Sequence, residues 1–462
     1  MHPSQRARLQ QQKRISSYAN SCDSYEFFNL LTGPEFLNQV ETLLPEHRER
    51  LFPPTETLSM FLSQAMSADR SCQKAVDDAA IKRLVGGLPT CSTNTGAYCQ
   101  ARSRLPLEMI STLTLHAGRL MSRSAPRKWR WQGRPVRLVD GTTIALPDTQ
   151  RNQSVYPQPG SQKPGLGFPL CRLVGMICLG TGAVLNTALG PCQGKGSDEQ
   201  SLLRTMLNTL ESGDILLGDA FYATYFLLCQ LQQLGVDGVF EQQGSRKRST
   251  DFRRGRRLGQ RDHLIELRKP KRKPDWMSQQ EYELAPESLV VRELMAGGKL
   301  LVTTLRCPKQ TTKAALKALY RNRWHVELDF RHIKTTLGME MLSCRTPEMA
   351  EKEIWVYLLA YNLIRILMAE AALLADILPR QLSFKHTLQL WIGWRWSGIG
   401  SNDHEKLHEL FILIAQQRVG NQPGRVEPRA IKRRHKPFPL LTKPRQLARE
   451  EIRLYGHPKK LN

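Results

Sequence analysis

The stretch from Tyr320 to Lys334 constrains the fold most, because it has two distinct faces at helical spacing. At about 100° per residue, its polar positions fall within an arc of roughly 100°; they are Tyr320, Arg323, Trp324, Glu327, Arg331 and Lys334. The apolar positions in and beside it form a second arc, roughly 60° wide; they are Leu319, Val326, Phe330, Ile333 and Leu337. A solvated face has no need for a single carboxylate among Arg, Trp, Tyr and Lys. We therefore predict a helix that buries one face and presents an acid to an anionic partner with the other.

The charge balance indicates what that partner is. The chain of 462 residues has 67 Lys and Arg against 42 Asp and Glu, which gives a formal net charge of +25. So large an excess favours a polyanion, above all nucleic acid, over a basic protein that has no such partner. The length is enough for about two or three domains with real cores.

Cysteine usage and hydropathy indicate the compartment. Ten cysteines are present without a Cys-x-x-Cys pair, so neither a zinc ribbon nor a redox motif is predicted, and reduced thiols fit best. The N-terminus lacks the apolar core of a signal peptide. The apolar stretch from Ile354 to Leu378 contains Asn362, Arg365, Glu370 and Asp376, which are costly in lipid. We predict a buried core helix there, and a cytoplasmic protein without a membrane partner.

The pattern of elements divides the chain into three regions. Residues 1–130 are predicted to be helical and basic, with helices beginning near Pro54 and after Ser92; Arg102 and Arg104 lie near the end of the second. Residues 131–345 mix strands and helices. Residues 346–462 are predicted to be helical to about residue 415, with a basic, Pro-rich tail at 425–437.

The middle region has the order β-β-β-α-β-α-β, which predicts an α/β layer fold. Its predicted elements are a strand at Val136–Leu146, a hairpin of Cys171–Leu179 and Ala183–Leu189, a helix at 198–212 capped by Ser197, a strand at Ile215–Asp219, a helix at 222–234 and a strand at 236–240. An interruption at about 242–310 then precedes the Tyr320 helix. We predict a β-rich insertion there with basic loops.

Three basic runs lie close together in that insertion. Most charge runs are solvated faces, but three within one insertion favour phosphate contacts. The candidate DNA contacts are Arg246, Lys247, Arg253 and Arg254.

Three acids stand out by position. Asp140, before Gly141, and Asp219, after Gly218, are each predicted to end a strand, and Glu327 lies on the polar face of the helix. Each also has an ordinary interpretation: Asp140 as a turn residue, Asp219 as a helix cap, and Glu327 as an i, i+4 partner of Arg323 or Arg331. All three together, in a chain this basic, favour catalysis.

Carboxylates that converge on one point repel one another, and a divalent metal removes the conflict. Mg²⁺ prefers oxygen ligands and keeps waters for substrate phosphates. Two such ions can activate a nucleophile and stabilise the leaving oxygen of a phosphodiester. Arg323 and Lys334 are suited to hold phosphates beside that site.

The motifs resemble those of bacterial insertion-sequence transposases of the DDE superfamily, in the branch (insertion sequence family four) with a Tyr-x2-Arg-x3-Glu-x6-Lys signature. Tyr320, Arg323, Glu327 and Lys334 match that spacing throughout. The segments Asp140–Asp148 and Gly218–Tyr222 resemble the two Asp motifs, with Gly141 where relatives often have Ser. The resemblance covers the chain from about residue 90 to the end.

The resemblance implies a ribonuclease H-like core, interrupted by the β-rich insertion, and an N-terminal region that binds DNA ends. It implies that Asp140, Asp219 and Glu327 bind two Mg²⁺ ions, for which Mn²⁺ can substitute. It also implies that Tyr320, Arg323 and Lys334 position phosphates while Trp324 contacts a base. The resemblance further implies that transposon inverted-repeat ends are cut, through a hairpin in this branch, and joined to target DNA by a homodimer at the nucleoid.

Two other functions stay open on the residues alone: a catalytically inactive DNA-binding relative, and a metal nuclease that does not join. A zinc protease is disfavoured. His404 to His408 matches His-Glu-x-x-His, but Lys406 puts a charge inside a motif whose context is usually apolar, and no convincing third ligand follows.

Overall fold

The computed structural model describes residues 52–85, 91–194, 196–396, 404–420 and 440–457. A nine-stranded sheet runs through it in the order β3-β2-β1-β4-β5-β9-β8-β7-β6. The strands are β1 (Val136–Ala145), β2 (Leu170–Cys178), β3 (Val184–Pro191), β4 (Ile215–Gly218), β5 (Asp237–Glu241), β6 (Arg256–Gly259), β7 (Asp262–Arg268), β8 (Ser288–Ala296) and β9 (Lys299–Thr303). The predicted basic tail at 425–437 lies outside the described residues.

The helices precede, separate and follow the strands. They are α1 (Pro54–Met66), α2 (Cys72–Val85), α3 (Gly96–Arg104), α4 (Leu107–Ser124), α5 (Gln150–Val155), α6 (Glu199–Arg204), α7 (Tyr225–Gln233), α8 (Gly244–Ser249), α9 (Gln279–Leu284), α10 (Lys313–Arg321), α11 (His325–Arg331), α12 (Pro347–Leu374), α13 (Phe384–Trp396), α14 (His404–Gln416) and α15 (Arg445–Tyr455).

The first five strands of the sheet confirm the predicted mixed α/β class. Strands β1, β2 and β3 pair antiparallel, and the predicted hairpin is β2 with β3. Strand β4 pairs parallel with both β1 and β5. Strand β4 is buried along its whole length, as expected for a continuous apolar run at the centre of a parallel sheet.

Strands β6 to β9 lie within residues 242–310 and continue the same sheet. The junction is the antiparallel pairing of β5 with β9, in which Phe240 lies opposite Val302. The segment between Asp219 and Glu327 is therefore hydrogen-bonded to the central strands.

Helix α12 is a core helix, as predicted. It is long and apolar enough to cross a membrane by length and composition, but 89% of its most apolar window is buried inside the fold. Its buried Asn362 is hydrogen-bonded internally: the side-chain amide donates to the carbonyls of Thr114 and Val184, at 3.0 and 2.9 Å. Buried polar groups with such partners are typical of a protein interior.

The N-terminal helices bury an arginine that the sequence placed near the end of a basic helix. Arg102, on α3, is 5% exposed, and its guanidinium contacts the Sγ atoms of Cys72 and Cys344, at 2.9 and 3.0 Å. Arg104, two residues later, is exposed. Arg102 therefore joins α3 to the core, and its charge does not face solvent.

Helix α6 is shorter than predicted and is capped one residue later. The side chain of Asp198, in place of the predicted Ser197, accepts hydrogen bonds from the backbone N–H groups of Gln200 and Ser201. A carboxylate at this position also interacts favourably with the helix dipole. The helix ends at Arg204, and a 3₁₀ turn at Leu207–Thr209 follows.

Candidate active site

The two aspartates meet where the pairing of β1 with β4 ends. The last paired residues are Leu138 and Leu217, and counting two residues onward along each chain brings Asp140 level with Asp219. Asp140 was predicted to end its strand. That prediction is wrong, whereas the predicted strand at Val136–Leu146 is confirmed, because β1 continues to Ala145 and Asp140 pairs with Gly175 on β2. The position of Asp140 in the site is therefore set by the end of its parallel partner β4, and not by the end of β1.

Asp219 follows Gly218 at the end of β4 and begins a 3₁₀ turn, Ala220–Tyr222. Its Oδ1 accepts the backbone N–H of Phe221 at 2.8 Å. The ordinary interpretation of Asp219 as a helix cap thus holds, but the cap uses one carboxylate oxygen and leaves the other outside this hydrogen bond.

Asp140 lies in an environment that disfavours its charge. Burial raises the pKa of its carboxyl to about 6, and the nearby carboxylates of Asp219 and Glu199 add to the rise. The N–H of Gly141 and the guanidinium of Arg323 act in the opposite direction. A second positive charge at this point would therefore be favourable.

The Tyr320 segment is helical throughout, but its pitch changes twice. A 3₁₀ turn at Asn322–Trp324 joins α10 to α11, and a π-helical turn at His332–Thr336 follows; π turns inside helices are frequent at functional sites. The predicted core face is confirmed, since all its members are buried: Leu319, Val326, Phe330, Ile333 and Leu337.

Glu327 is linked to Asp140 through Arg323. The Arg323 Nη2 lies 2.7 Å from the Glu327 Oε1, and its Nη1 lies 3.6 Å from the Asp140 Oδ2. The i, i+4 pair considered for Glu327 is therefore formed, and the same guanidinium also binds the strand acid. One cation bridges two of the three predicted catalytic carboxylates.

A glycine sets how closely the helix approaches the sheet. A Cβ atom at Gly175, which pairs with Asp140, would lie 3.1 Å from two ring carbons of Phe330. Phe330 is one turn after Glu327 on the same helix. The separation of Glu327 from Asp140 therefore depends on the bare backbone beneath the Phe330 ring.

The other predicted contacts have different exposures. Tyr320 is only 6% exposed, so its prediction as part of an open polar face is wrong; its buried hydroxyl has no hydrogen-bond partner within the described part of the chain. Trp324 is 52% exposed, as a DNA-contacting aromatic would be. The Nζ of Lys334 donates to the Oγ1 of Thr142 on β1, at 3.3 Å. Lys334 thus reaches the strand two residues beyond Asp140.

The predicted DNA contacts of the insertion fall into two groups. Arg246 pairs with the buried Glu293 at 3.2 Å, and Lys247 pairs with Glu241 at 3.0 Å. The side chains of Arg253 and Arg254 are 91% and 86% exposed and share Asp251, at 3.0 and 3.8 Å. The first pair neutralises acids of the fold, while the second extends into solvent.

Sequence reasoning missed Asp329, which is fully buried on α11. Its carboxylate binds the guanidinium groups of Arg365 and Arg380, at 2.6 and 2.9 Å, and the Tyr361 hydroxyl at 3.0 Å. An aspartate between Leu328 and Phe330 was the available signal. This network fixes α11, and with it Glu327, to the core helix α12.

A family model for the transposase DDE domain matches residues 131–363, which is half of the chain. The chain belongs to the DDE transposase family. The transposase InsG for insertion sequence element IS4 of Escherichia coli strain K12 is 26% identical over 369 residues, which cover 76% of this chain and 79% of that protein. These findings confirm the resemblance to insertion-sequence transposases.

A solved structure with a similar trace is a synaptic complex of piggyBac transposase with hairpin DNA. It is 11% identical, covers 88% of this chain and 87% of that one, and has a TM-score of 0.41. At that score, the likeness does not establish a shared arrangement of elements.

DDE transposases in general use divalent metals, and the acids of this transposase fit such an ion in kind. They offer only carboxylate oxygens, and a cation would reverse the rise in the pKa of Asp140. Within the described ranges, no group of three or more His, Cys, Asp and Glu side chains is arranged to hold a metal, and Glu327 is engaged by Arg323. Asp140 and Asp219 lie beside each other. Glu327 would have to exchange the Arg323 guanidinium for the metal.

Proposed function

We propose that this transposase cuts the inverted-repeat ends of its element and joins the freed 3′-hydroxyls to target DNA. The observation that carries the proposal is the meeting of Asp140 and Asp219 at the end of the β1–β4 pairing, with Glu327 linked to Asp140 through Arg323. The strand order β3-β2-β1-β4-β5, with β1 to β3 antiparallel and β1, β4 and β5 parallel, supports a ribonuclease H-like core.

Asp140, Asp219 and Glu327 would hold two Mg²⁺ ions, or Mn²⁺ in their place. Bound there, the metal would supply an activated nucleophile and charge stabilisation for the leaving oxygen. Arg323 compensates two of the acids before DNA arrives; when it turns to a phosphate, both carboxylates become free. Lys334, held beside Thr142, and Tyr320 contribute further phosphate contacts, and the exposed Trp324 is suited to stack on an end base.

The remaining parts of the proposal concern the assembly. The chain acts as a homodimer on paired ends at the bacterial nucleoid, and its cutting passes through hairpin ends. Arg253 and Arg254, with their exposed guanidinium groups, support flanking DNA contacts better than Arg246 and Lys247 do.

The test is a reaction of the purified protein with Mg²⁺ and DNA that carries the inverted repeats flanking its gene. We expect cleavage and strand transfer by the wild type, none by Asp219→Asn, and full activity of a control, Asp275→Asn, at an exposed aspartate. Binding without cleavage by the wild type would mean an inactive DNA-binding relative. Cleavage without joining would mean a nuclease, and undiminished cleavage by Asp219→Asn would refute the site.

A further inference from the structure

A fourth carboxylate, Glu199, lies against the site. Glu199 is the first residue of α6, directly after the capping Asp198. A Cβ atom at Gly141 would fall 2.3 Å from its carboxyl carbon and 2.3 Å from its Oε1. The carboxyl group therefore rests on the backbone of the residue that follows Asp140, in space that any side chain at position 141 would fill.

The same group is tied to the segment that follows Asp219. The hydroxyl of Tyr222 donates to the Glu199 Oε2 at 3.2 Å. The side-chain amide of the next residue, Gln200, donates to the carbonyl of Phe221 and accepts the hydroxyl of Thr224. Glu199 is thus held between the chain segments that carry the two aspartates.

The charges around these acids are unevenly matched. Arg323 pairs with Asp140 and Glu327, whereas no described Lys, Arg or His makes an ion pair with Asp219 or Glu199. Arg172 lies near Glu199, but its guanidinium donates to the backbone carbonyl of Ser197. Two carboxylates without a basic partner remain beside Asp140, in a chain whose net charge is +25.

The buried hydroxyl of Tyr320 is an independent sign of a missing ligand. Tyr320 is 6% exposed and its hydroxyl has no hydrogen-bond partner in the described residues. The backbone N–H of Glu241 and the carboxylates of Glu241 and Asp219 lie near it, but its O–H has no hydrogen-bond acceptor among the described residues. A buried O–H group near Asp219 is expected to donate to a bound ligand or its waters.

We propose that Glu199 is a fourth carboxylate of the divalent-cation site. The Tyr222 hydroxyl orients it, and Gly141, which has no side chain, leaves room for it. This proposal rests on the proposed function, since it adds a residue to the site of Asp140, Asp219 and Glu327. Position 141 is then a glycine because Glu199 occupies the volume of its side chain.

The test measures metal binding by the full-length protein without DNA, using Mn²⁺ and the electron paramagnetic resonance signal of the free ion. We expect Glu199→Gln to raise the Kd for Mn²⁺ by about tenfold or more, with little change in the unfolding temperature. The amide oxygen of Gln can still accept the Tyr222 hydroxyl, so only the charge is lost. Glu283→Gln, at an exposed acid that accepts only from Gln279 in its own helix, is the matched control and should bind as the wild type does.

Two further variants separate charge from structure. Tyr222→Phe removes the hydrogen bond and keeps the carboxylate, so it should weaken Mn²⁺ binding less than Glu199→Gln does. Gly141→Ser puts an atom where the Glu199 carboxyl lies, and should weaken binding although it removes no acid. Equal losses in Tyr222→Phe and Glu199→Gln, accompanied by equal drops in unfolding temperature, would reduce Glu199 to a structural residue and overturn the proposal.

The outcome for Asp219→Asn distinguishes the two proposals. If Asp219→Asn loses Mn²⁺ binding while Glu199→Gln binds as the wild type does, the fourth carboxylate is refuted and the proposed function stands. If the wild type binds no Mn²⁺, or Asp219→Asn binds it equally well, both proposals fail.

Discussion

Arg323 shows how a single side chain can serve two states of a site. Its guanidinium binds Glu327 and Asp140 at once, so it relieves the repulsion between carboxylates that the chemistry requires close together. The planar group presents donors in a fixed fork, which suits a phosphate as well as a carboxylate.

Replacement of Arg323 by Gln should weaken binding to DNA ends and abolish cleavage. Because one phosphate contact is lost, the slope of log K against log salt concentration should become shallower by about one. Titrations of end DNA at several salt concentrations measure this slope. An unchanged slope would mean that Arg323 stays with the acids when DNA is bound.

His332 gives the fold a pH dependence. Its ring stacks on Phe384 with centroids 4.9 Å apart, and burial, together with nearby arginines led by Arg365, lowers its pKa to about 4. The unfolded chain takes up this proton near its ordinary pKa of 6.5. Stability should therefore be complete above about pH 6.5 and fall as the pH drops towards 4, by at most about 3 kcal/mol from this group. Denaturant unfolding of the wild type and His332→Phe across this range checks the sign, since the variant should lose less stability on acidification.

At the scale of elements, the helix that carries Glu327 is positioned by a buried charge network and not by its polar face. Asp329 joins α11 to Arg365 on α12 and to Arg380. Replacing one partner of a buried ion pair leaves the other charge uncompensated, which costs much more than the loss of an exposed pair.

Asp329→Asn should therefore destabilise the protein by about 3–5 kcal/mol and reduce cleavage through displacement of Glu327. Asp376→Asn removes an acid whose pair with Lys128 is largely exposed, and should cost less than about 1 kcal/mol. The free energies of unfolding from urea titrations give the comparison. Equal costs for the two variants would contradict the assigned role of Asp329.

The sequence predicted the elements well where the hydrophobic period is strong. The core face of the Tyr320 helix and the β2–β3 hairpin follow from such periods, and the buried helix α12 follows from a long apolar stretch that contains charged residues. The strand at Val136–Leu146 was also predicted, and β1 confirms it. The sequence did not show that the parallel partner β4 ends beside Asp140, because strand pairing of this kind has no local signal.

The candidate site was predictable only where a local sequence pattern marks its residues. The signature spacing identifies Glu327 and Arg323, but the burial of Tyr320 depends on packing around it, and the roles of Asp329 and Glu199 depend on partners distant in sequence. No spacing in the sequence identifies an acid whose partners are distant along the chain.

At the scale of the whole molecule, positive charge is divided between structural and free positions. Arg246 and Lys247 neutralise acids of the fold, whereas the exposed Arg253 and Arg254 share one half-buried aspartate. Net charge alone therefore overstates how many cations are available to DNA.

We expect the double variant Arg253→Ala, Arg254→Ala to lose DNA affinity, with a salt slope shallower by up to about two, and to keep its unfolding temperature. Arg246→Ala should lower the unfolding temperature, because Glu293 is fully buried and loses a counter-ion. Filter binding and thermal scans on the same preparations test both expectations. The reverse pattern would mean that Arg246 is the DNA contact and that Arg253 and Arg254 support the fold.

Gly175 has a consequence for judging which copies of such an element are still active. An alanine there would lie 3.1 Å from the Phe330 ring, so the ring must yield by a few tenths of an ångström, and we expect the helix that carries Glu327 to shift with it. Every acid and every signature residue would remain in place. A genome survey that counts intact acidic triads would score that copy as competent, although we expect one methyl group on the neighbouring strand to disturb its cutting centre.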